Sequence, residues 1–411
     1  MKSGSLYGRY FTSLPLWLKK RGKEVYSLPW LVNITIPLDE VYKRLRSSNY
    51  LIPQDWLTLG DYITALGKGI ASINSIKRNI PYKKGSIDLT KLIQRQKFLQ
   101  FKDGTSFTQF WIYKPVLIRF TSRTHSINIY SHFEMMPPQH VLTFTINSIK
   151  HKKTKTIGYY HSLITKDFLA YHFLDNDEKS KVFPDLVITN GQLSTSILVK
   201  QGLPPDRVIS GPALRQTFPK TNSRHNKFNK RNAILLVLPL VQSAAYEFID
   251  NLVKIHSWIE DRLSTQVLIK PHPMSKKSDI KSIFNNLGLD KMPKNWSFYE
   301  GEIYDALFHS RCAISSNSAS IIDTLISGNI PINLFREDDL YWNYLDHLEE
   351  EFDILKPIAK NQLKERLRNI FITNRTYYDN QSSAIKNYLL KGLNPITEDN
   401  MIVFLENKNE N

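Results

Sequence analysis

Residues 312–335, CAISSNSASIIDTLISGNIPINLF, decide the fold. The stretch opens on a short apolar run, Cys312 to Ser315, which reads as a buried strand. A loop of small hydroxyl residues follows, then Ser320 to Ser327 at helical spacing, closed by Gly328. Ile330 to Phe335 is a second apolar run. A helix between two such runs is a crossover, so the strands it joins run parallel.

The alternation extends upstream. Ala233 to Leu240 (AILLVLPL) reads as a buried strand. Ala244 to Arg262 reads as a helix, with Phe248, Leu252, Ile255 and Ile259 three or four residues apart. Gln266 to Lys270 is a short strand, Ser278 to Leu287 a helix capped by Ser278, Trp296 to Tyr299 a strand and Ile303 to Ser310 a short helix. Strands and helices in strict alternation predict a parallel sheet covered on both faces.

The first half is less regular. Leu14 to Lys20 and Asp39 to Arg46 read as helices, with Val25 to Ile36 extended between them. Residues 50–115 show no clear pattern and are expected to be mostly helical. Ile127 to Phe133, Thr156 to Tyr160, Leu186 to Thr189 and Val208 to Ser210 read as strands, and Gln139 to Ile149 and Ser194 to Gln201 as helices. A domain of this kind usually opens with a strand, whereas here Ser3-Gly4-Ser5 leads into a helix.

Between the halves, Pro219 to Asn232 (PKTNSRHNKFNKRN) is polar, basic and free of hydrophobic periodicity, which is linker composition. The expected class is α/β, with two Rossmann-like domains facing each other across a cleft. A first domain would span 1–218, a basic linker 219–232, a second domain 233–395 and a tail 396–411. Ligands of such sheets bind at the carboxyl ends of the strands.

The chain length of 411 residues fits two domains, and 41% apolar with 23% charged residues excludes a disordered chain. The single cysteine, Cys312, excludes an internal disulfide framework and a Cys-based zinc site, and it reads as core. No apolar run approaches the ~20 residues of a membrane span. No signal-peptide apolar region precedes Lys19-Lys20-Arg21. The expected location is the cytoplasm, with peripheral contact to an anionic inner membrane.

Charge is split along the chain. Residues 1–231 carry 36 Lys and Arg against 14 Asp and Glu, a net +22, and residues 232–411 carry 19 against 24, a net −5. The basic half needs an anionic partner or is simply a solvated surface. Nucleic acid is not the expected partner, because the basic residues are dispersed and form no recognition motif.

Two loops in the second half carry chemistry. In Ile269-Lys270-Pro271-His272-Pro273, two prolines hold Lys270 and His272 at a strand end, where they could bind a phosphate or a base; a rigid turn is the plainer reading. Ser315, Ser316 and Ser318 also follow a strand and open a helix, which makes either an anion site or a helix cap. Asp323 lies within that helix, in reach of a ribose hydroxyl. In the first half, Glu134 ends one strand and could act as a base; His161 ends the next, and imidazole is the usual proton shuttle. Asn190-Gly191 could donate backbone hydrogen bonds to a ligand, and Arg215 and Glu300 are further candidates for substrate contact. Asp175 to Glu178, Asp338-Asp339 and Glu349 to Glu351 read as solvated surface, the last two groups on helix faces. No metal site is expected.

IKPHP followed by SSNSASIIDTLISGNIPI resembles the C-terminal half of GT-B glycosyltransferases, and its HP and Ser-pair motifs are similar to those of bacterial sialyltransferases and Kdo transferases. SLPLWLKKRGKEVYSLPWL, YSHFEMMPPQHVL, TIGYYHSLI, PDLVITNGQLSTSILVKQGLP and RVISGPALR look, in this order, like GT-B surface-carbohydrate biosynthesis proteins. The resemblance spans about residues 7–335 with a gap at 50–115, and departs at Pro138 and Gln139, where an aromatic and a Glu are expected. It implies a cofactor-free, metal-independent glycosyltransferase. His272 would contact a cytidine nucleotide, Ser315, Ser316 and Ser318 its phosphate, and Asp323 the ribose. The donor would be a nucleotide-sugar, CMP-linked, and the acceptor a surface glycan or lipid-linked glycan. A CDP-glycerol or CDP-ribitol phosphotransferase and a UDP-sugar glycosyltransferase are the alternatives of the same fold.

Overall fold

In the first half, α1 (Leu14–Lys20) takes Pro15 into its first turn, where no backbone N–H is needed. Next come α2 (Leu38–Arg46), α3 (Leu59–Lys77), a two-stranded antiparallel pair of β1 (Lys83–Lys84) and β2 (Ile87–Asp88), α4 (Thr90–Lys102) and α5 (Thr105–Thr121). The stretch without a clear sequence pattern is thus mainly three helices. Asp61 on α3 takes both Nη1 and Nη2 of Arg119 on α5, at 2.8 and 3.1 Å, and that guanidinium holds its carboxyl well below the ordinary range. The computed structural model describes residues 10–29, 37–46, 50–77, 81, 83–84, 87–102, 105–122, 127–135, 137–149, 154–162, 171–173, 180–216, 231–273, 275–289, 291–316, 318–337 and 343–405. Asp175 to Glu178, Asp338-Asp339 and most of the expected extended run 25–36 lie outside them.

A four-stranded sheet follows, made of β3 (Ile127–His132), β4 (Thr154–Tyr159), β5 (Leu186–Thr189) and β6 (Val208–Ser210), in that spatial order and all parallel. The helices α6 (Pro137–Ile149) and α7 (Gln192–Lys200) make the crossovers after β3 and β5. One face of the sheet offers Ile157, Tyr159, Leu186 and Ile188 to Leu14 and Leu18 of α1. Tyr159 is fully buried, and its hydroxyl donates to the Pro212 carbonyl at 2.9 Å while accepting the Leu214 N–H at 2.8 Å. That pair of bonds fixes the chain as it leaves β6.

The second half builds a five-stranded parallel sheet in the order β11-β10-β7-β8-β9, from β7 (Ala233–Val237), β8 (Val267–Lys270), β9 (Trp296–Phe298), β10 (Ser310–Ser315) and β11 (Ile330–Asn333). Consecutive residues Ala233, Ile234, Leu235 and Leu236 are all buried, so both faces are covered. The helices are α8 (Gln242–Val253), α9 (His256–Trp258), α10 (Lys277–Asn286), α11 (Ile303–His309), α12 (Ser320–Ile326), α13 (Leu363–Arg368) and α14 (Arg375–Gly392). Ala306 and Leu307 of α11 pack on Leu235, Leu268 and Ala313; α8 packs with α10, and α12 with α11 and α14.

Three expectations change here. The helix expected over 244–262 is broken: the His256 Nδ1–H donates to the Val253 carbonyl at 2.6 Å, taking it from the helical ladder, and a π-turn over Ile259–Leu263 follows. Ser278 is not the cap of α10; Lys276 holds that position with no side-chain bond, and the Ser278 hydroxyl turns to Asp279. Glu349 to Glu351 form a turn rather than a helix face.

The last helix, α15 (Glu398–Met401), belongs to the first sheet. Thr397 caps it, and Met401 and Phe404 complete the core around Tyr159. Contacts divide the chain into one unit of Met1–His161, Leu169–Arg215 and Ile396–Asn411 and another of Ser162–Phe168 and Gln216–Pro395. Of the segment expected as a tail, Met401 and Phe404 are therefore part of the first unit's core. Among the described residues, no helix is long and apolar enough to cross a membrane.

Candidate functional site

In the first unit, every strand of the sheet delivers a sequence-singled residue at its carboxyl end. Glu134 stands two residues past β3, His161 two past β4, Asn190 and Gly191 directly past β5, and Arg215 five past β6. Parallel strands put these ends on one edge, which is where such sheets bind ligands.

Glu134 and His161 meet there. His161 Nε2 lies 3.1 Å from Glu134 Oε1, with the imidazole almost fully buried and the carboxylate one-third exposed. Burial raises the Glu134 pKa, and the Arg215 charge partly offsets the rise. The Glu134 N–H donates to Gln139 Oε1 at 3.0 Å. Gln139 thus holds the turn carrying Glu134. A carboxylate at 139 would accept the same bond but set a second negative charge beside Glu134. Pro138 opens α6 with Pro137.

Asn190 and Gly191 serve their own turn. The Ser194 hydroxyl donates to Asn190 Oδ1 at 2.6 Å, and the Gly191 N–H reaches Thr189 Oγ1 at 3.4 Å. Gly191 has φ 152° and ψ 174°, a backbone region essentially reserved for glycine.

Sequence reasoning missed His132, the last residue of β3. Its ring meets Tyr10 at 4.4 Å and stacks on Phe11 at 5.0 Å, and Tyr10 also lies 4.1 Å from the His161 ring. Burial lowers the His132 pKa to about 4. Its Nε2 is buried without a hydrogen-bond partner among the described residues. The available signal was a histidine two residues before Glu134 at a strand end.

In the second unit, the strand order reverses direction between β7 and β10. The crevice outside the carboxyl ends of two such strands is the usual ligand site of a doubly wound sheet. Ser315 ends β10, and Ser316 and Ser318 follow it, so the serine loop stands at this reversal. Ser318 has a structural duty: its Oγ accepts the Ser320 N–H at 3.2 Å and the Ser320 hydroxyl at 2.9 Å. Ser316 is half-buried, and α12 has only seven residues.

Lys270 and His272 come from the end of β8, the neighbour of β7 on the other side. The Lys270 Nζ donates to the Gly301 carbonyl at 2.6 Å, and the His272 carbonyl accepts the Ser275 N–H at 2.9 Å, closing the HP turn. Glu300 is exposed past β9. Asp323 is 2% exposed and its Oδ1 accepts the Tyr304 hydroxyl at 2.7 Å, which ties α12 to α11. Cys312 is fully buried, and burial pushes its thiol up to about 12.

No protein-family model matches the sequence, and no curated protein matches it. Among solved structures, the fold is similar to S. aureus MnaA with UDP, at 10% identity over 71% of this chain and 82% of that chain, TM-score 0.46. It is also similar to Anabaena HepE with UDP and glucose, at 10% identity over 71% and 80%, TM-score 0.45. A variant of S. aureus TarM with fondaparinux, α-GlcNAc-glycerol and UDP matches at 13% identity over 71% of this chain, which spans 58% of TarM, TM-score 0.45.

Proposed function

We propose that the chain is a glycosyltransferase that moves a sugar from a nucleotide donor to a hydroxyl of a surface or lipid-linked glycan. The observation that carries this reading is the serine loop at the strand-order reversal of the second sheet, flanked on the next strand but one by Lys270 and His272. Hydroxyls and a fixed cation at strand ends suit a nucleotide phosphate, whose charge grows as it leaves.

The acid–base pair is Glu134 and His161. Of the two, Glu134 is the one open to solvent, so it meets the acceptor, and the buried His161 orients it. The acceptor O–H proton passes to the Glu134 carboxylate. The acceptor oxygen bonds to the anomeric carbon, and the bond from that carbon to the donor phosphate oxygen breaks. A carboxylate whose pKa is raised by burial is a better base than an ordinary Glu.

The HP and Ser-pair resemblance favours a CMP-linked donor, and UDP is the nucleotide to set against it. Thermal unfolding with CMP, CDP, UDP and GDP tests both. A bound nucleotide at a hundredfold its Kd adds about 2.7 kcal/mol of stability. Stabilisation by CMP or CDP supports the cytidine donor, and by UDP alone the UDP-sugar donor. No stabilisation by any of the four defeats the nucleotide-sugar reading.

A further inference from the structure

The amino edge of the second sheet, opposite the serine loop, holds two cations that the proposed reaction does not use. Arg231 stands two residues before β7 and is only 9% exposed. Its Nη1 donates to the Ser327 carbonyl at the end of α12 and to Asn329 Oδ1, each at 2.8 Å. Both acceptors are neutral. The guanidinium lies over the ring of Phe308, 6.0 Å from its centroid, and that ring is exposed.

Asn329 also fixes the second cation. Its carbonyl accepts the Ser382 hydroxyl of α14 at 2.9 Å, and α14 packs on α12 and β11. Lys386 follows Ser382 by four residues, so it lies on the same face of α14, one turn along. It is half-buried and within reach of the Arg231 charge; burial and that charge lower its pKa.

Two like charges in partly dehydrated surroundings repel, and a carboxylate ordinarily answers such a pair. None is supplied here. The acid of α14, Asp379, pairs with Arg311 Nη2 at 3.0 Å. No Asp or Glu occurs from residue 207 to residue 246, the stretch that leads into β7 and out of it. Among the described residues, no carboxylate pairs with Lys386. A guanidinium and an ammonium side by side suit a phosphate, whose oxygens accept several charge-assisted hydrogen bonds at once.

We infer that Arg231 and Lys386 form a second anion site, at the amino edge of the second sheet, for a phosphate group, either free phosphate or the phosphate of a small ester. The serine loop lies at the carboxyl edge of the same parallel sheet, so the two sites are separate. This one does not depend on the nucleotide reading.

The test uses the full chain, with calorimetric titration and thermal unfolding in inorganic phosphate or glucose 1-phosphate against chloride at equal ionic strength. The native chain should bind with saturation, and its midpoint should rise. Ser316→Ala should keep this binding, which separates it from the serine loop. Lys386→Gln should lose at least tenfold of the affinity, and Lys386→Arg should keep it. In phosphate-free chloride buffer, Lys386→Gln should be at least as stable as the native chain, because it relieves the repulsion; a lysine with only a structural role would give the opposite sign. Tighter binding of glucose 1-phosphate names a phosphate ester as the ligand, and tighter binding of inorganic phosphate names the free ion. No saturable binding of either overturns the inference. So does binding that Lys386→Gln keeps or Ser316→Ala loses, or a Lys386→Gln chain that is less stable without phosphate.

Discussion

His161 Nε2 sits 3.1 Å from Glu134 Oε1, with the ring buried behind the carboxylate. In the proposed reaction the outer group exchanges a proton with the acceptor and the inner one holds it in place. Replacing Glu134 with Gln keeps the shape and removes the base. Turnover should fall by about a hundredfold or more, the scale of general-base removal, with nucleotide affinity unchanged. His161→Gln should cost less in turnover and shift the acid limb of the pH–rate profile, since its partner's environment changes. A Glu134→Gln enzyme that turns over normally places the base elsewhere.

The serine loop separates into two kinds of residue. Ser318 carries the first turn of α12, so Ser318→Ala should cost about 1 kcal/mol of stability, as lost caps do. Ser316→Ala should leave stability unchanged and weaken nucleotide binding by roughly tenfold or more, from the loss of a charge-assisted bond worth about 1.5–3 kcal/mol. Calorimetric titration with the stabilising nucleotide checks this. Equal affinity of native and Ser316→Ala protein reduces the loop to a cap.

Much of this was legible in the sequence, for identifiable reasons. The runs at Ala233, Gln266, Cys312 and Ile330 are apolar on both faces, and such strands announce themselves. The candidate residues sit at strand ends because that is where parallel sheets expose loops. What stayed hidden depends on contacts distant in sequence. Phe404 looks like a tail residue until it meets Tyr159, nearly 250 positions away. Helix α3 hid because its inward face is Asp61, Ala65 and Gly69, so its large apolar residues, Ile63 and Leu66 among them, point away from the core. His132 hid because nothing local says that Tyr10 and Phe11 enclose it. Asp323 reads as a ribose ligand in sequence; the Tyr304 hydroxyl is a partner only the fold supplies.

The buried His132 makes the first unit sensitive to acid. Its folded pKa of about 4 lies below the ordinary 6.5. Between those values the unfolded chain binds the proton and the folded one does not. Stability is fully present above about pH 6.5 and falls as pH drops toward 4, by at most about 3 kcal/mol. Glu134, with its pKa raised, works in the opposite sense above the usual carboxylate range and takes back part of the slope. Urea midpoints of native and His132→Asn protein at pH 7 and pH 5 check the sign. The native chain should lose more between the two than the variant, and parallel losses would assign the acid sensitivity to other groups.

The return of the chain to the first sheet predicts where its stability resides. Phe404 is almost fully buried against Tyr159, and its carbonyl accepts the Tyr130 hydroxyl at 2.6 Å. Phe404→Ala removes a large ring from a closed core, and such changes cost about 3–5 kcal/mol. The loss should be local to the first unit, because the second has its own core around Leu235 and Leu268. Hydrogen exchange resolves the two. In Phe404→Ala, amides of β4 (Thr154–Tyr159) and β5 (Leu186–Thr189) should exchange at least a hundredfold faster, while those of β7 (Ala233–Val237) and β8 (Val267–Lys270) keep their native protection. Unchanged protection in β4 and β5 would show that residues 396–405 only rest on the first sheet, and faster exchange in all four strands would show that the two units unfold together.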